Sequence, residues 1–250
     1  PTELIKYPDQ LALYKKLSNF LELEIEHLSL TNGADSGLKS CFEAFVEPGD
    51  EIVCLNPTYA MIMVYAQMFG SKVHQVGYNS NLELDLDLLF DCITKRTKIV
   101  ILPNPNQPTG TLIDSDTIHR LLSKTETLGV LLVLDEAYIE FSGADSALSL
   151  VSKHTNLCVL RTFSKAFGLA GLRIGFMISN SRNIGYFSKS RSIVESNNLS
   201  MAVAEYMLNN LNIMNDHVET VRAGGGYLKA RLDSLQIQHH GGNVSNGILL

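Results

Sequence analysis

The chain has 250 residues, 45% hydrophobic and 18% charged, which suits one large domain or two small ones and excludes a disordered chain. Its net charge of −6 argues against broad nucleic-acid binding, and no apolar run is long enough to span a bilayer. The four cysteines, Cys41, Cys54, Cys92 and Cys158, make no Cys-x-x-Cys pair. With no signal-peptide pattern at the start, they read as reduced thiols of a cytoplasmic protein.

Residues 1–8 form a loose lead-in. Asp9 caps a helix to about residue 23, with Leu11, Tyr14, Leu17 and Leu21 on one face. Residues 28–30 read as a strand, 31–35 as a turn, and a helix follows to about Phe45. Strand 51–55, loop 56–59 and helix 60–69 come next, ended by Gly70, and 72–76 returns as a strand. A helix over 87–93 precedes the strand 98–102 and a rigid turn-rich loop over 104–110. Asp114 or Ser115 starts a helix to about Thr125. Three apolar strands follow, over 130–134, 157–160 and 174–178.

Strands that alternate with helices and are apolar along their length indicate a mostly parallel sheet covered on both faces, an α/β chain. Ligands in such sheets collect beyond the carboxyl ends of the strands. Gly33, Tyr59, Gln107, Asp135 and Lys165 all fall at or just past such ends. From residue 181 the pattern becomes helical, with an amphipathic stretch over 214–235. Gly224, Gly225 and Gly226 interrupt it at a cost of about 1 kcal/mol each in a helix, so the pattern does not require an unbroken helix there. Residues 236–239 and 247–250 read as strands around a glycine-rich turn.

The chemistry centres on Arg161-Thr162-Phe163-Ser164-Lys165-Ala166-Phe167-Gly168-Leu169-Ala170-Gly171-Leu172-Arg173. A lysine between two buried strands must be paired or must lose its proton. Thr162 and Ser164 add hydroxyls, and Arg173 adds a fork of donors suited to a phosphate. Such a loop suits a phosphate-bearing aldehyde held by Lys165 as a Schiff base. Asp135 at a strand end suits a carboxylate that keeps a pyridine nitrogen protonated, and Tyr138 could bond the ring hydroxyl. Taken alone, Asp135 reads better as a cap and Tyr138 as an ordinary half-buried tyrosine. The helix opening at Gly33-Ala34-Asp35 suits a phosphate through its free N–H groups, although many strand-helix turns look alike. Tyr59 suits a stacking platform as well as core filling.

Taken together, glycine turn, aromatic, Gln107-Pro108-Thr109-Gly110, Asp135-x-x-Tyr138, Ser164-Lys165 and Arg173 carry a resemblance. The chain resembles the fold-type I pyridoxal-phosphate aminotransferases of class I/II, and among them the histidinol-phosphate aminotransferases. The specific strings are Asp135-Glu-Ala-Tyr-Ile-Glu-Phe141 and the 161–173 segment. The resemblance implies a three-layer α/β/α large domain over 31–190, after a lead-in and helix over 1–30. Residues 191–250 would be interdomain helices and part of a small C-terminal α/β domain. It implies pyridoxal 5′-phosphate as cofactor. Lys165 would hold it covalently and shuttle protons, Asp135 would pair with the ring nitrogen, Tyr138 with the ring oxygen, and Tyr59 would stack. The amides of Ala34 and Asp35, with Thr162, Ser164 and Arg173, would hold the phosphate. Tyr7 would reach the phosphate of a neighbouring subunit in a homodimer.

Two departures follow. The family asparagine that contacts the ring oxygen is Gln107 here, one methylene longer, and Asn106 stands next to it as a substitute. The family's N-terminal arm and most of its small domain have no counterpart, and 243–250 matches only the beginning of the latter, so a fragment is expected. The expected reaction is transfer of an amino group from an amino acid or amino-alcohol phosphate to a 2-oxo acid, without nucleic-acid or membrane partners. Decarboxylation of a phosphorylated amino acid, as in threonine-phosphate decarboxylases, is the alternative on the same scaffold. A non-catalytic cofactor- or nucleotide-binding module is the third reading. It is disfavoured for nucleotides by the absence of Gly-x-Gly-x-x-Gly and of a Gly-Lys-Ser/Thr loop.

Overall fold

The apolar runs become strands buried on both faces. A computed structural model describes residues 5–242 and 244–250; Pro1 to Leu4 of the lead-in and Asn243 of the terminal turn lie outside the described residues. Seven strands form one sheet: β1 (Leu28–Thr31), β2 (Glu51–Asn56), β3 (Lys72–Gly77), β4 (Thr97–Pro103), β5 (Leu131–Asp135), β6 (Leu157–Thr162) and β7 (Gly175–Ser179). Their order is β1-β7-β6-β5-β4-β2-β3. The run from β6 to β3 is parallel throughout. Only β7 opposes its neighbours, β6 and β1. The link from β6 to β7 carries no helix beyond a 3₁₀ turn, Ala170–Leu172. Without a crossover helix the chain doubles back as an antiparallel neighbour. That return holds the Lys165 loop at the carboxyl end of β6.

Side chains alternate between the two faces of each strand, and two cores result. Ile52, Cys54, Ile101, Val133 and Leu160 pack under α2 (Gly33–Phe45), α3 (Ala60–Met68) and α7 (Ser181–Ser190). Val53, Leu55, Leu102, Leu134 and Val159 pack under α1 (Leu11–Leu21), α4 (Leu86–Cys92), α5 (Ser115–Leu128) and α8 (Asn198–Asn209). This is the expected three-layer α/β/α arrangement. α1 ends two residues earlier than expected, at a left-handed Glu22, and the Asp9 carboxylate accepts the Leu11 N–H at 3.0 Å. α5 begins where expected, with the Asp114 carboxylate accepting from the Thr117 amide.

The continuity of the last helix, left open by its three glycines, is decided by the fold. α9 (Leu211–Ser234) runs straight through Gly224, Gly225 and Gly226. Helix formation is cooperative, and flanking contacts offset the local cost. Met214, Val218 and Leu232 are buried on either side of the glycines, and Arg222 donates to the Phe141 carbonyl of the short helix α6 (Ile139–Ser142). Beyond it, β8 (His240–Gly241) pairs antiparallel with β9 (Ile248–Leu249). The strand expected over 236–239 does not form there; pairing begins only at His240, and of 247–250 only Ile248–Leu249 pairs, with Gly241 and Gly242 in left-handed conformations turning the chain between them. The four cysteines are free thiols; Cys41 and Cys158 face each other with sulfurs 4.0 Å apart. Among the described residues no helix is long and apolar enough to cross a membrane.

Candidate active site

The carboxyl ends of β1, β4, β5 and β6 open into one cleft. Lys165 and Ser164 line it from the loop after β6, and Asp135 from the end of β5. Tyr59 and Gln107 enter from the loops after β2 and β4, and Ala34 and Asp35 from the start of α2. Tyr138, Thr162 and Arg173, also singled out from the sequence, line it as well. Ala170, a small residue beside the lysine loop, lines the cleft too; Pro103 and Ala137 also line it and were not anticipated. A larger hollow of about 560 Å³ lies between α1, α5 and the 144–150 segment, but its lining has no lysine, arginine or tyrosine.

One end of the cleft gathers groups suited to an anion. No side chain caps the first turn of α2, so its N–H groups face the cleft unclaimed by Asn32. Arg173 stands against this turn, its Nη2 donating to the Asn32 carbonyl at 3.5 Å. Gly33 has φ +79°, and a Cβ there would lie 2.7 Å from that Nη2. Thr162 and Ser164 face each other, hydroxyl to hydroxyl, at 3.0 Å. The carboxylate of Asp35 would oppose an anion, but it is turned towards α3. It accepts the Tyr65 hydroxyl at 2.9 Å and the Tyr59 hydroxyl at 3.4 Å. Burial, with the Asp35 charge beside it, pushes Tyr59 up to about 12, so this ring stays neutral and presents a flat face.

The other end is acidic and basic at once. Burial pushes Asp135 up to about 6, against the Ala137 N–H it accepts at 3.0 Å and the nearby Lys165 charge. Asp135 thus lacks a full countercharge and is suited to a proton-bearing nitrogen. The Lys165 ammonium lies 4.9 Å from the centroid of the Tyr138 ring. It is half-buried and on the same cleft wall as Asp135, not turned out to solvent.

Two expected residues lie elsewhere. Asn106 does not line the cleft. It is 1% exposed; its Nδ2 donates to the Pro57 carbonyl and to the Thr109 hydroxyl, and its Oδ1 accepts from the Thr58 hydroxyl. Its amide holds two loops together and is not free to stand in for the family asparagine. Gln107 does line the cleft, and its Oε1 is buried without a partner. Tyr7 is 90% exposed and outside this cleft, beside Ile193 and Val194.

The family described as aminotransferase class I and II matches residues 2–243. The chain belongs to this family. Among curated relatives, the histidinol-phosphate aminotransferase of Christiangramia forsetii is 36% identical over 222 residues, covering 88% of this chain and 63% of that protein. The one of Buchnera aphidicola subsp. Schlechtendalia chinensis is 35% identical over 255 residues, covering 99% of this chain and 70% of its own. A solved histidinol-phosphate aminotransferase from Sinorhizobium meliloti, in complex with pyridoxal-5′-phosphate, superposes with a TM-score of 0.87 at 24% identity. That match covers 97% of this chain and 67% of the other.

Sequence reasoning on this aminotransferase-family chain missed one backbone contact. Gly175 opens β7, and a Cβ there would lie 2.7 Å from the Gly33 carbonyl carbon and 2.8 Å from the Arg161 carbonyl oxygen. Its bare backbone lets the α2 turn settle onto the sheet. A glycine at a strand start was the available signal. Missed too was the pairing of Glu136 with Arg161, both nearly fully buried, with Nη1 and Oε2 3.0 Å apart. A lone arginine in an apolar strand was the signal there.

Proposed function

We propose that this chain carries the cofactor-binding part of a pyridoxal-phosphate-dependent aminotransferase. The observation that carries the reading is one cleft holding the Lys165 amine, the buried Asp135 carboxylate and the anion cradle of α2, Thr162, Ser164 and Arg173. The residues present fit the cofactor. The cradle matches a phosphate dianion, and Asp135, raised by burial, matches a protonated ring nitrogen.

When bound, the cofactor supplies an electrophilic aldehyde and a ring that accepts an electron pair from the substrate carbon. Lys165 would supply the amine that holds it and would be the group placed to move the proton at the substrate carbon. Asp135 keeps the ring nitrogen charged. The Tyr138 hydroxyl and the Gln107 amide, both in the cleft lining, would be the groups to bond the ring oxygen, and Tyr59 would offer its flat ring for stacking. Arg173 and the α2 amides would hold the phosphate and thereby orient the ring. The reaction is transfer of an amino group from an amino acid or an amino-alcohol phosphate of the histidinol-phosphate kind to a 2-oxo acid. The relatives' names support that donor class. We infer also a homodimer, with Tyr7 reaching a second copy. Support comes from the exposure of Tyr7 (90%), Ile193 (95%) and Leu11 (50%) along one hollow.

Adding pyridoxal phosphate to the purified protein tests the reading. A visible absorption band is expected, bleached by borohydride and absent in Lys165→Ala. A protein that stays colourless overturns it. With candidate amino donors, appearance of a keto acid supports transfer, and release of carbon dioxide would assign decarboxylation instead.

A further inference from the structure

Behind the cleft lies a charged cluster that the reading above leaves without a role. Asp135 is in register with Leu160, which packs under α2. Glu136 and Arg161, one residue further on, turn to the opposite face of the sheet. There the Arg161 Nη1 meets Glu136 Oε2 at 3.0 Å, and its Nη2 meets Glu140 Oε1 at 2.6 Å. Glu136 also accepts the Ala147 N–H at 2.7 Å and the Ser146 hydroxyl. Arg161 is 6% and Glu136 1% exposed. From α9, Arg222 donates to the Phe141 carbonyl at the end of α6, the helix that carries Glu140.

One buried guanidinium between a buried and a partly buried carboxylate is a poor source of stability, because desolvation consumes most of the Coulomb gain and apolar side chains would serve as well. Geometry is what it supplies. The pair joins β5 and β6 at the residues immediately beside Asp135 and Thr162, where the Glu136 N–H also bonds the Leu160 carbonyl at 2.9 Å. We propose that Arg161, together with Glu136, is a positioning residue. Their buried pair locks the ends of β6 and β5 so that Thr162 and Asp135 meet the phosphate and the ring nitrogen of one bound cofactor. This rests on the pyridoxal-phosphate reading above. Asp135 itself is faced by Lys165, Asp35, Glu136 and Cys41.

The test compares wild type, Arg161→Lys and Glu136→Gln. The Asp135 carboxyl is titrated by carbon NMR in the cofactor-free protein, assigned by its loss in Asp135→Asn. Pyridoxal phosphate affinity and melting temperature are measured alongside. Both variants are expected to move the Asp135 midpoint, Glu136→Gln downwards because a neighbouring negative charge is gone. Both should raise the cofactor dissociation constant about tenfold, the low end for outer-shell partners. Glu140→Gln, at the far prong of the guanidinium, should lower the melting temperature and leave the midpoint in place. Variants that melt earlier yet keep the wild-type midpoint and affinity would reduce the pair to a structural role and overturn the proposal. Arg161→Lys keeps one cation between the carboxylates and carries the test if Glu136→Gln does not fold. A wild type that fails to bind the cofactor overturns the functional reading and the proposal with it, whereas a wild type that binds it while the variants keep its midpoint and affinity overturns the proposal alone.

Discussion

Gly175 and Ala34 meet backbone to backbone: a Cβ on Gly175 would stand 2.8 Å from the Ala34 amide nitrogen. That nitrogen belongs to the first turn of α2, the wall of the anion cradle. Gly175→Ala therefore forces the turn away from β7. Overpacking of this kind costs about 1–3 kcal/mol, to be read from urea unfolding. Weaker pyridoxal phosphate binding should accompany it. An alanine variant equal to wild type in both measurements would show that the turn is not held by this contact.

Asp135 makes the cofactor-free protein pH-sensitive in an unusual direction. Its carboxyl rises from 3.8 to about 6 on folding, because burial disfavours the charged form. The folded state thus binds this proton more tightly than the unfolded chain. The associated stability is complete below the unfolded value and is lost as pH rises through about 6, a change of at most about 3 kcal/mol. Asp135→Asn should remove that slope. Unfolding curves of both proteins across this range, without cofactor, check it; parallel pH profiles would refute it.

Asn106 and Gln107 are neighbours with separate tasks. Asn106→Ala removes a buried amide bonded to Pro57, Thr58 and Thr109 and with it all three hydrogen bonds. It should cost about 2 kcal/mol of stability. Gln107→Ala breaks no hydrogen bond of its Oε1, which has none among the described residues, so it should leave unfolding almost unchanged. Its effect should appear instead in the visible band of the loaded protein. A larger stability loss in Gln107→Ala than in Asn106→Ala would reverse the assignment.

The glycines inside α9 offer room. A Cβ at Gly224 or Gly226 meets nothing within 4 Å. Both lie in helical backbone, so Gly224→Ala and Gly226→Ala should each stabilise by about 0.5–1 kcal/mol. Thermal melts of the single variants and their combination measure this. A fall in melting temperature would mean that the helix needs its glycines for a purpose other than backbone freedom.

Periodicity and punctuation in the chain were enough to locate the seven strands and most helices, because runs such as 130–134 and 157–160 have only one way to bury both faces. The cleft lining was also legible. Glycine, aspartate, lysine and arginine at strand ends are placed by local turns, and a parallel sheet gathers strand ends whatever its details. Three things depended on the folded chain. Whether Asn106 or Gln107 faces the cleft turns on bonds to Pro57 and Thr58, some fifty positions away, which no local pattern carries. The continuity of α9 depends on contacts made on both sides of its glycines rather than on their propensity. The burial of Arg161 against Glu136 and Glu140 required β5, β6 and α6 to be brought together, since a charge is tolerated inside only where its partners already stand.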